Sequence, residues 1–319
     1  MNEESRIKTY LGSNYKNLQD IHCTIIGLGT LGSKTAKTLG KIGTNLHLID
    51  RDFVEERNID NQEYTKEDVG ELKTEAMQRK IKGMDSEKSC SVSSSALDIN
   101  PNNIENQVGE TDVLIDSTDN LKTRLLLNDY AKKEEIPLII GMIGGARGMT
   151  MTVHPEGPCL RCTLGEEPAS QETCDQEGIS PGIAEVISAL QANQLVKLIE
   201  EKPLTDLLTI NLENMVFDKL KTKKRKNCST CEEEYKELDR VREARKRCSE
   251  ESVQLYPRIT DPEKLEKINP EVDTYGDKIA ILENKGIKIS VYSSGKAIVK
   301  GVETVKEARE KYDELLGGR

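Results

Sequence analysis

Four cysteines in two Cys-x-x-Cys pairs, Cys159/Cys162 and Cys228/Cys231, and one glycine-rich turn, Gly27-Leu28-Gly29-Thr30-Leu31-Gly32, are the residues whose types and spacing point most directly to chemistry. Two thiolates at this spacing grip a metal from one tight turn, and a second pair completes a tetrahedron. The four sulfurs are therefore expected to bind Zn²⁺ as a closed structural site that staples two distant segments. The glycine turn offers different chemistry. Bare backbone N–H groups at a helix N-terminus attract phosphate oxygens, and the spacing by itself suits NAD, FAD or ATP equally. Asp50, which closes the next apolar run, can hydrogen-bond a ribose hydroxyl in any of the three.

Positioning these residues requires a particular order of elements. Residues 21–26 read as a buried parallel strand, the glycines open a helix over about 33–42, and 46–49 is the next strand. Strand, glycine loop, helix, strand is the nucleotide-binding half of a doubly wound sheet. A helix at 69–82, strands at 90–94 and 113–116, a helix at 123–133 and a strand at 138–141 continue the alternation. A strand at 150–153 feeds the first cysteine pair. Ser180-Pro181-Gly182 opens a long helix over 183–200, and a strand at 205–211 leads toward the second pair. The fold class expected is α/β, a doubly wound Rossmann-like sheet with a zinc-stapled C-terminal half and a small α+β accessory domain. The domains expected are 1–231 for the nucleotide-binding part, a charged helical or irregular linker at 232–277, and the accessory module at 278–319. In that module strands at 279–282, 287–292 and 297–299 precede a helix at 305–316.

Composition excludes several classes of function. With 32% charged residues and a net charge of −10, nucleic acid is not the expected partner. The absence of Trp removes the best stacking platform for single strands. No apolar run approaches membrane length and the opening residues carry no leader pattern, so a soluble, cytoplasmic protein is expected. In that compartment the eight cysteines read as ligands, nucleophiles or core residues rather than disulfides. Cys23 and Cys90 lie in apolar strands and read as core, and His22, His47 and His154 read as packing residues. The basic block 219–226 (KLKTKKRK) and the acidic run Glu232-Glu233-Glu234 read as solvated faces.

Among the possible ligands, the segment Asp116-Ser117-Thr118-Asp119-Asn120 with Arg124 decides, because acidic residues there suit a metal–triphosphate and no hydride-transfer constellation is present. Together with Asp50, Arg57-Asn58, Gln62, Asp68-Val69-Gly70, Lys73, both cysteine pairs, and Cys174 followed by Gly178-Ile179-x-Pro181-Gly182, it appears in one order across residues 20–231. In that ordered set the chain resembles the MoeB/ThiF/HesA family of ubiquitin-activating-type adenylyltransferases. The resemblance implies ATP and Mg²⁺ as cofactors beside Zn²⁺. It also implies a homodimer whose partner is a ubiquitin-like sulfur-carrier protein with a Gly-Gly tail. It implies nucleotide contacts from Gly27, Gly29, Gly32, Asp50, Asn58, Gln62 and Lys73, and catalytic roles for Asp119, Lys73, Arg124 and Cys174, the last as a sulfur or acyl relay. Adenylation of a small carboxylate or peptide, and a zinc-stabilised binding scaffold, are the alternatives. One position departs from the family pattern: Asn61 precedes Gln62 where most relatives have Arg, which removes a charge-assisted phosphate contact of about 1.5–3 kcal/mol unless Arg51 or Arg57 replaces it.

Overall fold

The computed structural model describes residues 6–84, 90–166, 178–239, 245–246, 252–255, 257, 261–276, 279–284, 286–293, 296–302 and 304–316. They fall into two compact units, 1–96 with 104–239, and 97–103 with 240–319.

The first unit is built on the sheet order β3-β2-β1-β4-β5-β6-β7-β8. Its strands are β1 (His22–Ile26), β2 (Asn45–Asp50), β3 (Val92–Ala96), β4 (Val113–Asp116), β5 (Leu138–Gly144), β6 (Arg147–Val153), β7 (Leu207–Asn211) and β8 (Val216–Leu220). The first five in sequence are mutually parallel, and β6 to β8 run antiparallel. Its helices are α1 (Arg6–Leu11), α2 (Asn14–Asp20), α3 (Thr30–Ile42), α4 (Lys73–Lys82), α5 (Ile104–Val108), α6 (Leu121–Lys133), α7 (Leu160–Leu164), α8 (Ile183–Ile199) and α9 (Lys236–Asp239). All four residues of β4 are buried, as a central parallel strand with both faces covered requires. Around it, Ile25, Leu48, Ile115 and Ile139 form the core with Leu39, Met77 and Leu195 from the helices. Leaving β1, the chain winds outward through β2 and β3, then returns to the other side of β1 with β4. The strand order therefore reverses between β1 and β4, and a crevice opens at their C-terminal ends.

Helix α4 starts later than the expected 69–82. Gly70 takes φ +90 and Phe53 bridges Leu72 in antiparallel fashion, which keeps the residues before Lys73 out of the helix. Within the expected charged helical or irregular linker at 232–277, the described residues carry little helix just after Cys231. Glu233 takes a left-handed φ of 65 after a 3₁₀ turn at Thr230–Glu232, among the described residues of 232–250 only Lys236–Asp239 is α-helical, and residues 245–246 pair as strand β9 (Arg245–Lys246).

The second unit is an antiparallel sheet in the order β11-β12-β13-β14-β10-β9. Residues read as linker supply β10 (Ser252–Leu255), α10 (Pro262–Ile268) and β11 (Asp273–Tyr275). Pro262 at the first helical turn, after Asp261 whose carboxylate accepts from the Glu263 and Lys264 amides, starts α10 rather than interrupting the chain. The expected hairpins are β12 (Ile279–Asn284), β13 (Ile287–Tyr292) and β14 (Lys296–Lys300), followed by α11 (Val305–Leu316). Their alternate residues Ala280, Leu282, Ile289, Val291, Ala297 and Val299 bury one face with Leu265, Ala308, Tyr312 and Leu316 of the helices. Among the described residues of the chain, no helix is long and apolar enough to cross a membrane.

Candidate nucleotide site and metal centre

The glycine turn sits at the C-terminal end of β1, stitched into the crevice from both sides. Gly27 donates its N–H to the Ile49 carbonyl of β2, and Ser117 donates to the Ile26 carbonyl of β1. Gly27 has φ +88 and passes so near β4 that a Cβ would lie 2.8 Å from the Ser117 carbonyl oxygen. A Cβ on Gly32 would lie 1.8 Å from the Gly27 carbonyl. Only glycine fits either position. At Gly29 the situation is opposite: a Cβ would meet nothing within 4 Å, so its backbone is open to a ligand at the N-terminus of α3.

Asp50 ends β2 beside this turn. Its carboxylate accepts from the Leu28 amide at 2.6 Å and the Asp52 amide at 2.8 Å. Burial pushes the carboxyl above the usual carboxylate range, against the pull of the Lys73 ammonium. Lys73 reaches Asp50 because the chain after β2 doubles back on itself. Val54 donates to the Glu71 carbonyl, and Lys73 donates its own N–H to the Asp52 carbonyl. The Lys73 side chain is buried with its Nζ 3.6 Å from Asp52 Oδ2. A buried cation in the first turn of a helix opposes the helix dipole, a local cost that Asp50 and Asp52 offset.

Asn58 is buried in the turn between β2 and α4, where its Oδ1 accepts from the Glu55 amide. Gln62 follows one turn later, and its Oε1 is buried with no hydrogen-bond partner. Asn61, in place of the usual Arg, is exposed. Of its two candidate substitutes, Arg57 is 79% exposed and bound to Glu55, whereas Arg51 pairs with Asp52 beside Lys73 and is the better placed.

The far wall of the crevice is the Asp116–Asn120 loop. Asp116 is wholly buried. Its Oδ1 accepts from the Thr118 amide and hydroxyl, and its Oδ2 accepts from Arg124 Nε at 2.7 Å. The Arg124 guanidinium also donates to the Thr118 and Gly141 carbonyls. Arg124 is therefore buried and donates to three protein groups that shape this loop. Asp119, at the loop's tip, is exposed, and Asn120 caps α6 by accepting from the Thr123 amide at 2.9 Å. Nothing in the sequence motif distinguished the buried Asp116 from the exposed Asp119. Burial does.

Cys159, Cys162, Cys228 and Cys231 converge with their sulfurs all within 4.8 Å of one another. Contacts of 3.8 Å (Cys159–Cys162), 3.4 Å (Cys159–Cys228) and 3.5 Å (Cys162–Cys231) lie near the sulfur–sulfur edge of about 3.8 Å that a tetrahedron with Zn–S bonds of about 2.3 Å requires. The donor set fits zinc. A buried polar network ties both cysteine turns to α6. Asn128 Oδ1 accepts from the Leu160 amide, Asp129 accepts from Thr230 Oγ1 at 2.6 Å and from the Glu237 amide, and Arg161 bonds Thr230 and Glu237. Sequence reading missed this network because Asn128, Asp129 and Arg161 look like ordinary surface residues of charged helices. Cys174 and Cys248 fall outside the described residues. Cys23 is in the core, and burial pushes its thiol up. His47 lies between Ser93 and Ser95, while His22 is exposed rather than packed, because the first residue of β1 projects beyond the sheet's cover.

Comparison with known proteins agrees with this geometry. The model of the ThiF family matches residues 3–231. The sulfur carrier protein ThiS adenylyltransferase of Bacillus subtilis is 29% identical over 323 aligned positions, covering 96% of this chain and 95% of that protein. The SAMP-activating enzyme E1 of Haloferax volcanii is 31% identical over 216 positions, covering 66% of this chain and 79% of the relative. Among solved structures, Escherichia coli MccB with MccA-N7isoASN superposes with a TM-score of 0.60 at 24% identity, over 68% of this chain and 69% of that one, a likeness of fold.

Proposed function

This chain belongs to the ThiF family, and from that membership we propose that it is an ATP-dependent adenylyltransferase activating the C-terminal glycine carboxylate of a ubiquitin-like sulfur-carrier protein. The observation that carries the reading is the pairing, across one crevice, of an open glycine turn with the Lys73–Asp50–Asp52 cluster on one wall and the exposed Asp119 on the other.

The reaction is attack of the glycine carboxylate oxygen on the α-phosphorus of ATP, with the bond to pyrophosphate breaking and an acyl-adenylate left behind. Two anions must meet, so positioning and charge neutralisation carry most of the rate. The glycine turn and the N-terminus of α3 hold the phosphates, with Lys73 and Asn58 against them. Asp50, fixed by two backbone amides, keeps lone pairs for the ribose hydroxyls. Gln62 Oε1 accepts from the nucleotide or the carrier tail. Asp119 would hold Mg²⁺, which would supply neutralisation of phosphate charge. Arg124 acts through the loop it anchors. Zinc in the four-cysteine site is structural, and the Cys174 thiol attacks the acyl-adenylate carbonyl, forming a thioester as AMP leaves.

A docking face for the carrier is supported by β8. All five of its residues are exposed, Phe217 by 57%, and β8 ends the sheet among the described residues. The basic block 219–226 begins in the last two residues of β8 and continues past it. An unpaired strand edge beside dense positive charge suits an acidic partner that adds a strand to the sheet. The active form is proposed to be a homodimer, checked by light scattering at working concentrations.

Carrier-dependent exchange of labelled pyrophosphate into ATP tests the reading. Exchange that requires a carrier ending in Gly-Gly supports it. Exchange driven instead by a small carboxylate or a short peptide, or no exchange with any carrier, sinks it.

A further inference from the structure

Gln191 belongs to none of the motifs above. It lies in the middle of α8, a helix packed on α3, β5 and β6, and it is completely buried. Its carboxamide oxygen accepts from Thr35 Oγ1 at 2.8 Å and from Ser117 Oγ at 3.4 Å, and its NH₂ group donates to the Asp116 main-chain carbonyl at 3.0 Å. Thr35 stands on α3 just beyond the glycine turn, whereas Asp116 and Ser117 end β4 and open the acidic loop. One side chain therefore ties together the two walls of the crevice. The arrangement leaves no slack: a Cβ on Gly141 would lie 2.6 Å from Gln191 Nε2. The Gly141 carbonyl accepts from Arg124, whose Nε holds Asp116, so the chain of bonds continues from α3 through α8, β4 and α6 to β5.

A buried carboxamide is an expensive way to fill a core. Burying it is tolerable only with its partners in place, and a leucine would occupy similar space without that requirement. What leucine cannot do is hold a hydroxyl of one wall and a backbone carbonyl of the other at a fixed separation.

We propose that Gln191 is a positioning residue for the adenylation site, setting the spacing between the glycine turn and the Asp116–Asn120 loop and so the alignment of nucleotide and attacking carboxylate. The proposal rests on the ATP-site reading above.

Three variants test it: Gln191→Leu, Gln191→Glu and Thr35→Val, each read by thermal melting, pyrophosphate-exchange kinetics and hydrogen exchange. Gln191→Leu is expected to lower kcat by roughly tenfold or more with a smaller change in KM for ATP, and Thr35→Val to do the same more weakly. Gln191→Glu supplies the decisive readout. A protonated carboxyl offers one donor and one acceptor like the amide, but its ionised form turns a lone pair toward the Asp116 carbonyl. Burial against the Asp116 carbonyl raises its pKa, so this variant's kcat should fall as pH rises through neutrality, a limb absent from the wild type. Should Gln191→Leu fail to fold, the other two, which keep volume, decide. Hydrogen exchange needs no turnover: faster exchange at both 27–32 and 116–120, without general loosening, supports the spacing role even if the wild type shows no pyrophosphate exchange and the adenylation reading has failed. Unchanged protection at both loops, or a wild-type pH profile for Gln191→Glu, overturns it.

Discussion

At the scale of single residues, the crevice separates groups that neutralise charge from groups that hold the scaffold. Lys73 is held beside Asp50 and Asp52, so removing its ammonium leaves both acids uncompensated toward the nucleotide. Lys73→Ala should weaken ATP binding or AMP formation by roughly 10- to 100-fold, equivalent to about 1.5–3 kcal/mol, while the protein still folds; equilibrium binding beside a thermal melt checks this. Asp119 contributes nothing to the core, so Asp119→Ala should preserve the melting temperature and lower carrier-dependent exchange on the order of 100-fold. Unchanged exchange would remove it from the mechanism. Cys174→Ser should behave differently from both, sparing pyrophosphate exchange and abolishing the later acyl transfer in which the thiol displaces AMP, seen as loss of the thioester adduct by mass spectrometry. If it stops exchange as completely as Asp119→Ala, the relay role is wrong.

At the scale of elements, α6 connects the two centres. Its first turns carry the Asn120 cap and Arg124, and its later turns carry Asn128 and Asp129, which hold both cysteine turns. Removing the metal leaves four crowded sulfurs without a shared cation and loosens the segments docked on α6. Chelation or Cys231→Ser should therefore lower the melting temperature, and nucleotide binding should weaken as a consequence of lost structure. Stoichiometric zinc analysis and melts in chelator check this, and full stability without metal would exclude the staple. A second element-scale effect concerns the 3₁₀ turn at Lys66–Asp68. Asp68 is completely buried. Burial alone would raise its carboxyl, but hydrogen bonds from Lys80, the Thr65 amide and Arg79 outweigh this and hold it down to about 2. Its folded pKa lies below the unfolded value, so its stabilisation is complete above the ordinary carboxylate range and is lost as pH falls toward 2, where the unfolded chain takes up the proton first. Asp68→Asn should flatten the dependence of stability on pH between about 4 and 2, measured by urea unfolding across that range.

On the scale of the whole molecule, a chain with a net charge of −10 presents a local basic block at 219–226 beside an exposed edge strand. Lys219 pairs with Asp206 and the Arg225 amide donates to Cys162 Sγ, so both ends of the block are anchored to the fold. Reversing Lys221 and Lys224 to Glu should raise KM for the carrier and remove its salt dependence while leaving ATP binding unchanged. Stopped-flow association at two ionic strengths checks it. An unaltered association rate in the double variant would move the docking face elsewhere.

The local features of this protein were legible in its sequence because they depend on short spacing. The glycine turn, the apolar runs of β1 and β4, and the paired cysteines each arise from neighbours within a few residues, and the family resemblance follows from their order. What only the tertiary structure decided are relations between segments far apart in the chain. The pattern Asp116-Ser117-Thr118-Asp119 does not reveal which acid is buried against Arg124 and which faces solvent. Nor does a glutamine in the middle of an apolar helix announce that it holds Thr35, Ser117 and Asp116 together. Helix α4 begins at Lys73 because a strand pairing with Phe53 overrides the helical periodicity before it. Just after Cys231 charge alone does not stabilise a helix, and a left-handed Glu233 ends the local turn. Periodicity specifies an element's face, but its partners are fixed only when the sheet order places β1 beside β4.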